Sequence, residues 1–309
     1  MQINSSKKLM EVSILSCIGV IFALASTYIP FLSIFFMFNG IPYTIIAARC
    51  GMRYSIMSLS ISLIILMMAT SPISALIFAL LFIPSMIIGY NIYKNDNPFD
   101  NIALGSLCYI LMMMLYIKLS IILFNIDIIN LFDDMLIKSI HVQKDLMNTL
   151  GIKMNETELS NLVETASVYI PSTLVVIPSI VISFINYYVS VFILRRIEKD
   201  DNKLPKIKDF SLPGNIPFGI VLICLATLLI KHIDGIYYRA IVLNLEMVIL
   251  TLFLIQGACV YSYFLDTINI KKGVKGFLLT ISFVIKPIAL IVTIIGMLDS
   301  AMNFRKIRR

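Results

Sequence analysis

The chain has 309 residues, of which 59% are hydrophobic and 14% charged, with a mean hydropathy of +0.93 and a formal net charge of +7. A soluble domain carries roughly 25% charged residues, so this inventory cannot dress a water-facing surface. The basic residues stand at the ends of apolar blocks, the distribution of a membrane protein, which argues against nucleic acid as a partner.

Nine apolar segments follow in chain order: about 12–29, 31–48, 54–70, 72–93, 102–125, 167–194, 216–233, 238–265 and 275–298. Each is about 17 residues or longer, enough to cross a hydrocarbon core of roughly 30 Å. Inside lipid every backbone donor and acceptor needs an internal partner, so each block must be helical. The alternating segments of a β-barrel are absent. The expected fold class is therefore all-α: a polytopic transmembrane helical bundle of about eight or nine membrane segments. No cleavable signal peptide is apparent after the first block.

Pro30 and Pro72 fall between consecutive blocks, where a ring that cannot continue a helix belongs. The second block is short and holds Pro42, so it dips in or spans; the ninth is interrupted by Lys286-Pro287 and spans or re-enters. With Lys7 and Lys8 in the cytoplasm and every block spanning, fourteen Lys and Arg fall inside and nine outside. That bias has the positive-inside sign, with the basic tail Arg305, Lys306, Arg308 and Arg309 as its misfit.

Residues 126–166 form the one sizeable extramembrane insertion. Phe132, Met135, Leu136, Ile140, Met147 and Leu150 share one side of a predicted helix, with Asp133, Asp134, Lys138, Lys144 and Asp145 largely elsewhere. Gly151 reads as its stop, and Asn155 with Glu158 as a capping-box-like start of a second helix. The pair is expected on the outer membrane surface or over the core. Residues 195–215, charged and carrying Pro205 and Pro213, read as a cytoplasmic linker. The chain divides accordingly into 1–195, a six-helix membrane domain, and 196–309, a linker with three further segments.

A family resemblance rests on order and spacing: Tyr-Ile-Pro (28–30), Phe-Asn-Gly-Ile-Pro (38–42), Ala-Arg-Cys-Gly-Met-Arg (48–53), Ser-Pro-Ile-Ser-Ala-Leu (71–76), Ile-Gly-Tyr (88–90) and Gly-Met-Leu-Asp-Ser-Ala-Met-Asn-Phe-Arg-Lys (296–306). Together these resemble the YybS-like family of bacterial membrane proteins over nearly the whole chain. That family is in turn distantly similar to the substrate-binding S components of energy-coupling-factor vitamin transporters, six-helix proteins with both ends in the cytoplasm. The resemblance implies a small-molecule binding subunit that works with other membrane subunits, since no ATP-binding motif is encoded. It also implies a docking stripe of small residues on the first helix and a ligand pocket near Asn39-Gly40.

The residues themselves offer such features. Ser16, Gly19, Ala23 and Thr27 place small side chains along block one, as close helix packing requires. Asn186 carries an amide into block six, where it must bind a ligand or bond a neighbouring helix. Lys118 can snorkel to the interface, and Arg49 with Arg53 flank a cytoplasmic turn. Catalysis is poorly supplied: the two His, at 141 and 232, have no metal-ligand spacing, and the five Cys form no CxxC. No enzyme activity, cofactor or metal is expected. The alternatives kept open are a non-transporting scaffold or regulator of envelope proteins, and an intramembrane enzyme. Finally, Glu246 and Lys286 are expected at similar depths in blocks eight and nine, as an intramembrane ion pair.

Overall fold

The computed structural model describes residues 5–149, 156–198, 205–231, 237–268 and 270–306, and these are helices and their connections throughout. Seven of the helices among them are long and apolar enough to cross a membrane, and a bent helix pair makes a possible eighth. The chain groups into two compact units, 1–94 with 104–186 and 95–103 with 187–309. The division falls inside a helix, at Asn186–Tyr187, and not after Arg195, where the charged linker begins.

The first unit begins with α1 (Ser5–Tyr28), a 3-10 segment (Pro30–Phe38), α2 (Ile41–Arg49), α3 (Met52–Ala69) and α4 (Pro72–Tyr93). The 3-10 segment and α2 together form one span, Pro30–Arg49, of 20 residues. Pro30 opens the 3-10 segment, Pro42 falls in the first turn of α2, and Pro72 opens α4, positions where the missing N–H costs no helical bond. Ser71 caps α4 by accepting from the Ser74 N–H at 3.3 Å. Small α2 becomes the centre of the unit: every residue from Ile41 to Ala47 is buried. Tyr43 stacks on Phe82 of α4 with ring centroids 4.0 Å apart. Around them Val20, Ala23, Leu66, Ala75, Phe78 and Met86 close a continuous apolar core. One face of α3 is a run of buried serines, Ser55, Ser58 and Ser62, whose small size lets neighbouring backbones approach.

Helix α5 (Pro98–Phe124) leads to the inserted pair α6 (Ile128–Thr149) and α7 (Glu156–Val168), which pack on each other. Gly151 and Asn155 lie outside the described residues. A π-helical turn (Ser172–Val176) then opens into α8 (Ile177–Glu198).

The second unit contains a short 3-10 turn (Ile207–Asp209), α9 (Ile216–Ile230), α10 (Tyr238–Thr267), α11 (Lys272–Val284) and α12 (Lys286–Met302). Its main packing is α10 against α12. A Cβ on Gly257 would stand 1.9 Å from the Val292 carbonyl oxygen, and one on Gly296 would stand 2.0 Å from that of Phe253. Only glycine permits so close a crossing of two backbones. The partner number falls as the residue number rises, so α10 and α12 run antiparallel. The ninth segment is not one straight helix. It bends by 99° between α11 and α12, because Ile285 is extended and Pro287 restarts the helix in its first turn.

Candidate functional site

Each unit holds a buried polar centre. In the first unit, Thr44 of α2 donates to Asn186 Oδ1 at 2.8 Å. The Asn186 Nδ2 group donates to Ser85 Oγ at 3.0 Å and to Tyr109 OH at 2.9 Å, and Ser85 with Tyr109 are themselves 2.7 Å apart. Helices α2, α4, α5 and α8 are thereby joined through neutral groups that sit away from water. Gly40 lies against this centre, and a Cβ there would be 2.0 Å from Ser85 Oγ. The amide of Asn186 is thus engaged at both ends by the unit's own side chains.

Asn39, next to Gly40 in sequence, is different. Its side chain is fully buried; Nδ2 donates weakly to Ser26 Oγ at 3.3 Å, and Oδ1 has no hydrogen-bond partner among the described residues. A buried acceptor left unpaired costs about 1–3 kcal/mol, so such a group normally has a water or a ligand to meet. It stands where the 3-10 segment meets α2. Nine residues is long for a 3-10 run, and irregular backbone at membrane depth is tolerated where it is buried in protein or lines a cavity.

The small residues of α1 are spent within the unit. Ser16 Oγ lies 2.6 Å from Ser58 Oγ of α3. A Cβ on Gly19 would meet the Tyr43 ring at 2.7 Å, and Ala23 is fully buried in the apolar core. Thr27 is exposed and donates to the Ala23 carbonyl at 2.9 Å. Gly19 therefore faces Tyr43 of α2 and Ala23 the apolar core, and neither is exposed as a docking surface. Arg49 pairs with Glu11, and Lys118 is exposed toward the end of α5.

The second unit's centre is charged. Arg305 donates to Asp299 Oδ2 through Nη2 at 2.8 Å and Nε at 3.2 Å, and to the Lys208 carbonyl through Nη1 at 2.6 Å. Gln256 Nε2 donates to the same Asp299 oxygen at 2.7 Å, while Gln256 Oε1 accepts from the Leu212 N–H at 3.0 Å. Both charged side chains are only 1% exposed, so the pair is out of contact with solvent. Asn303, left-handed at φ 50°, ends α12 and turns the chain so that Arg305 can reach back. At the rim, Lys208 and Lys275 both approach Asp266, at 3.4 and 2.6 Å.

Glu246 and Lys286 are not brought together. Both are exposed, and no ion pair joins them among the described residues. Two features explain this. The bend makes Lys286 the first residue of α12 and not a point deep inside a straight span. Antiparallel packing then carries the two apart: measured from the Gly257–Val292 contact, they lie roughly 25 Å apart along the helix pair at 1.5 Å per residue.

Asp299, Arg305 and Gln256 are not among the sequence-predicted site residues. A signal was present in Asp-Ser-Ala-Met-Asn-Phe-Arg, an acid and an arginine separated by a residue type that tolerates the left-handed turn. The apolar run of the ninth block ends at residue 298, whereas α12 runs to Met302 and includes Asp299. His232 lies outside the described residues, and among those described no group of three His, Cys, Asp or Glu could hold a metal ion.

Long apolar helices, buried polar centres satisfied from within, and apolar residues exposed along the spans define a multi-pass α-helical membrane protein. The sequence comparison is specific about which kind. Residues 17–300 match the family described as Predicted membrane protein (DUF2232), and the chain belongs to that family. It is also 23% identical over 310 aligned residues, covering 98% of each chain, to the uncharacterized protein YybS of Bacillus subtilis (strain 168). No solved structure matches it significantly.

Proposed function

We propose that this protein is a small-molecule-binding subunit of a multi-component membrane system, comparable in role to an S component and without catalysis of its own. In this reading it sits in the bacterial inner membrane, with the N-terminus and the 195–215 linker cytoplasmic and 126–166 outside. The ligand lies at the outer end of the first unit, among α1, the 3-10 segment and α2. The observation that carries the reading is the Asn39 acceptor, buried and unpartnered beside a polar centre that is otherwise internally engaged.

The test is purification of the full chain in mild detergent, followed by native mass spectrometry for bound small molecules and partner subunits. A small molecule retained by the natural protein and lost from Asn39→Leu, with unchanged monodispersity, is the expected result. An empty protein that Asn39→Leu merely stabilises would sink the proposal, because the orphaned acceptor would then be only a defect.

A second reading, a non-transporting scaffold or regulator for other envelope proteins, draws on the exposed apolar residues of α6. It predicts that a protein partner covers that face.

A further inference from the structure

The inserted helix α6 carries two apolar faces. One faces the hairpin partner α7, where Ser167 Oγ donates to Asp133 Oδ1 at 2.5 Å. The other is open: Leu131, Met135, Val142 and Leu146 are 50%, 67%, 59% and 61% exposed. At 100° per residue these four fall within about 60° of one another and form one stripe along the helix. Asp134, Lys138 and Asp145 lie along one flank of it.

What covers the stripe follows from how α6 is attached. The membrane-crossing helix α5 is closed by Asn125, left-handed at φ 54°, whose N–H donates to the Ile121 carbonyl at 3.0 Å, while the Ile126 N–H donates to that of Ser120 at 3.1 Å. Asp127 then caps α6: its Oδ1 accepts from the N–H groups of Ile129 at 3.0 Å and Asn130 at 3.1 Å, and its Oδ2 from Asn130 Nδ2 at 2.8 Å. Three residues therefore separate the end of a span from the start of α6, and hydrogen bonds fix both sides of the junction. Even a fully extended connection of that length reaches only about 14 Å. α6 thus begins at the membrane surface, without a linker that could lift it into solution.

We infer that α6 is an interfacial helix: Leu131, Met135, Val142 and Leu146 are immersed at the acyl-chain boundary of the leaflet from which α5 emerges. Asp134, Lys138 and Asp145 ride in the headgroup layer. The partner is a lipid surface, bound through apolar area and not through charge. Residues 126–166 hold seven acidic residues against three lysines, so anionic headgroups add nothing to the association. The inference stands independently of whether the first unit holds a small molecule.

The experiment uses the full chain, with its five cysteines replaced, carrying single cysteines at Met135, Val142 or His141 labelled with an environment-sensitive fluorophore. Each is reconstituted into phosphatidylcholine vesicles with or without brominated acyl chains. Labels at 135 and 142 should be quenched about twofold or more by the brominated lipid, as expected for a helix lying about 5–10 Å into the boundary, and the label at 141 should be spared. Adding phosphatidylglycerol should leave the pattern unchanged. Equal quenching at all three positions, or none, overturns the assignment. If the cysteine-free chain does not fold, the natural protein is photolysed in vesicles containing a lipid with a diazirine near its carbonyl. Adducts on α6 support the interfacial helix, and adducts confined to the spans overturn it. A protein crosslinked at Met135 in cells, together with absent lipid quenching, would replace it with the scaffold reading.

Discussion

The two units hold themselves together by opposite means. The first joins four helices through the neutral amide of Asn186 and the hydroxyls of Thr44, Ser85 and Tyr109. The second ties α12 to α10 and to the 3-10 turn through a buried carboxylate and guanidinium. Neutral hydrogen bonds inside a membrane protein are individually modest, about 0.6 kcal/mol on average, because the unfolded segment also finds partners in the bilayer. A charge has no such alternative. Removing one member of a buried ion pair strands the other, at about 3–5 kcal/mol. The neutral centre therefore tolerates loss of a contact, whereas the charged centre is complete or it fails.

The sharpest way to break this contrast is at Asp299. Asp299→Asn leaves Arg305 charged and buried, and should cost about 3–5 kcal/mol in a reversible unfolding assay in detergent. The double variant Asp299→Asn, Arg305→Met should recover a large part of that. Strictly additive losses would show that the two groups do not act as a pair.

A smaller effect is expected where the same two helices cross. Gly296→Ala places a methyl where backbone already stands, and should cost about 1–3 kcal/mol by overpacking. Gly219→Ala, with open space at its Cβ, should be neutral or slightly stabilising in the same assay. Equal effects at the two glycines would mean that the α10–α12 crossing is looser than described.

The smallest effect should come from the neutral centre. Tyr109→Phe removes one hydroxyl and leaves Ser85 within reach of Asn186, so a loss of about 0.5–1.5 kcal/mol is expected. A loss as large as that of Asp299→Asn would erase the distinction between the units.

The helical membrane class was legible in the sequence because it depends on block length alone, and α1, α4, α5 and α10 lie close to the apolar runs that announced them. Asn186 was legible for a similar reason: an amide at mid-span must bond something, whatever the fold. What the sequence could not supply was register. The distance between Glu246 and Lys286 depends on a bend at Ile285 and on which faces of α10 and α12 meet, and no local pattern encodes either. The same holds for Gly257 and Gly296, two unremarkable glycines until their helices touch. The family resemblance points to a pocket near Asn39, but the orphaned oxygen there is a property of packing and has no sequence signature.

The link between Gln256 and Asp299 spans 43 positions, and this has a consequence for biogenesis. Because α10 precedes α12 along the chain, it enters the bilayer before α12 does. In that interval the Gln256 Nε2 group lacks its Asp299 partner, while the glycine of the crossing leaves a bare stretch of backbone beside it. The nascent chain thus passes through a stage in which this span is sticky toward polar groups on any neighbouring helix. Arrival of α12 ends that stage by covering amide and backbone together. A chain in which α12 fails to dock therefore keeps both the amide and the bare backbone of α10 open to other helices.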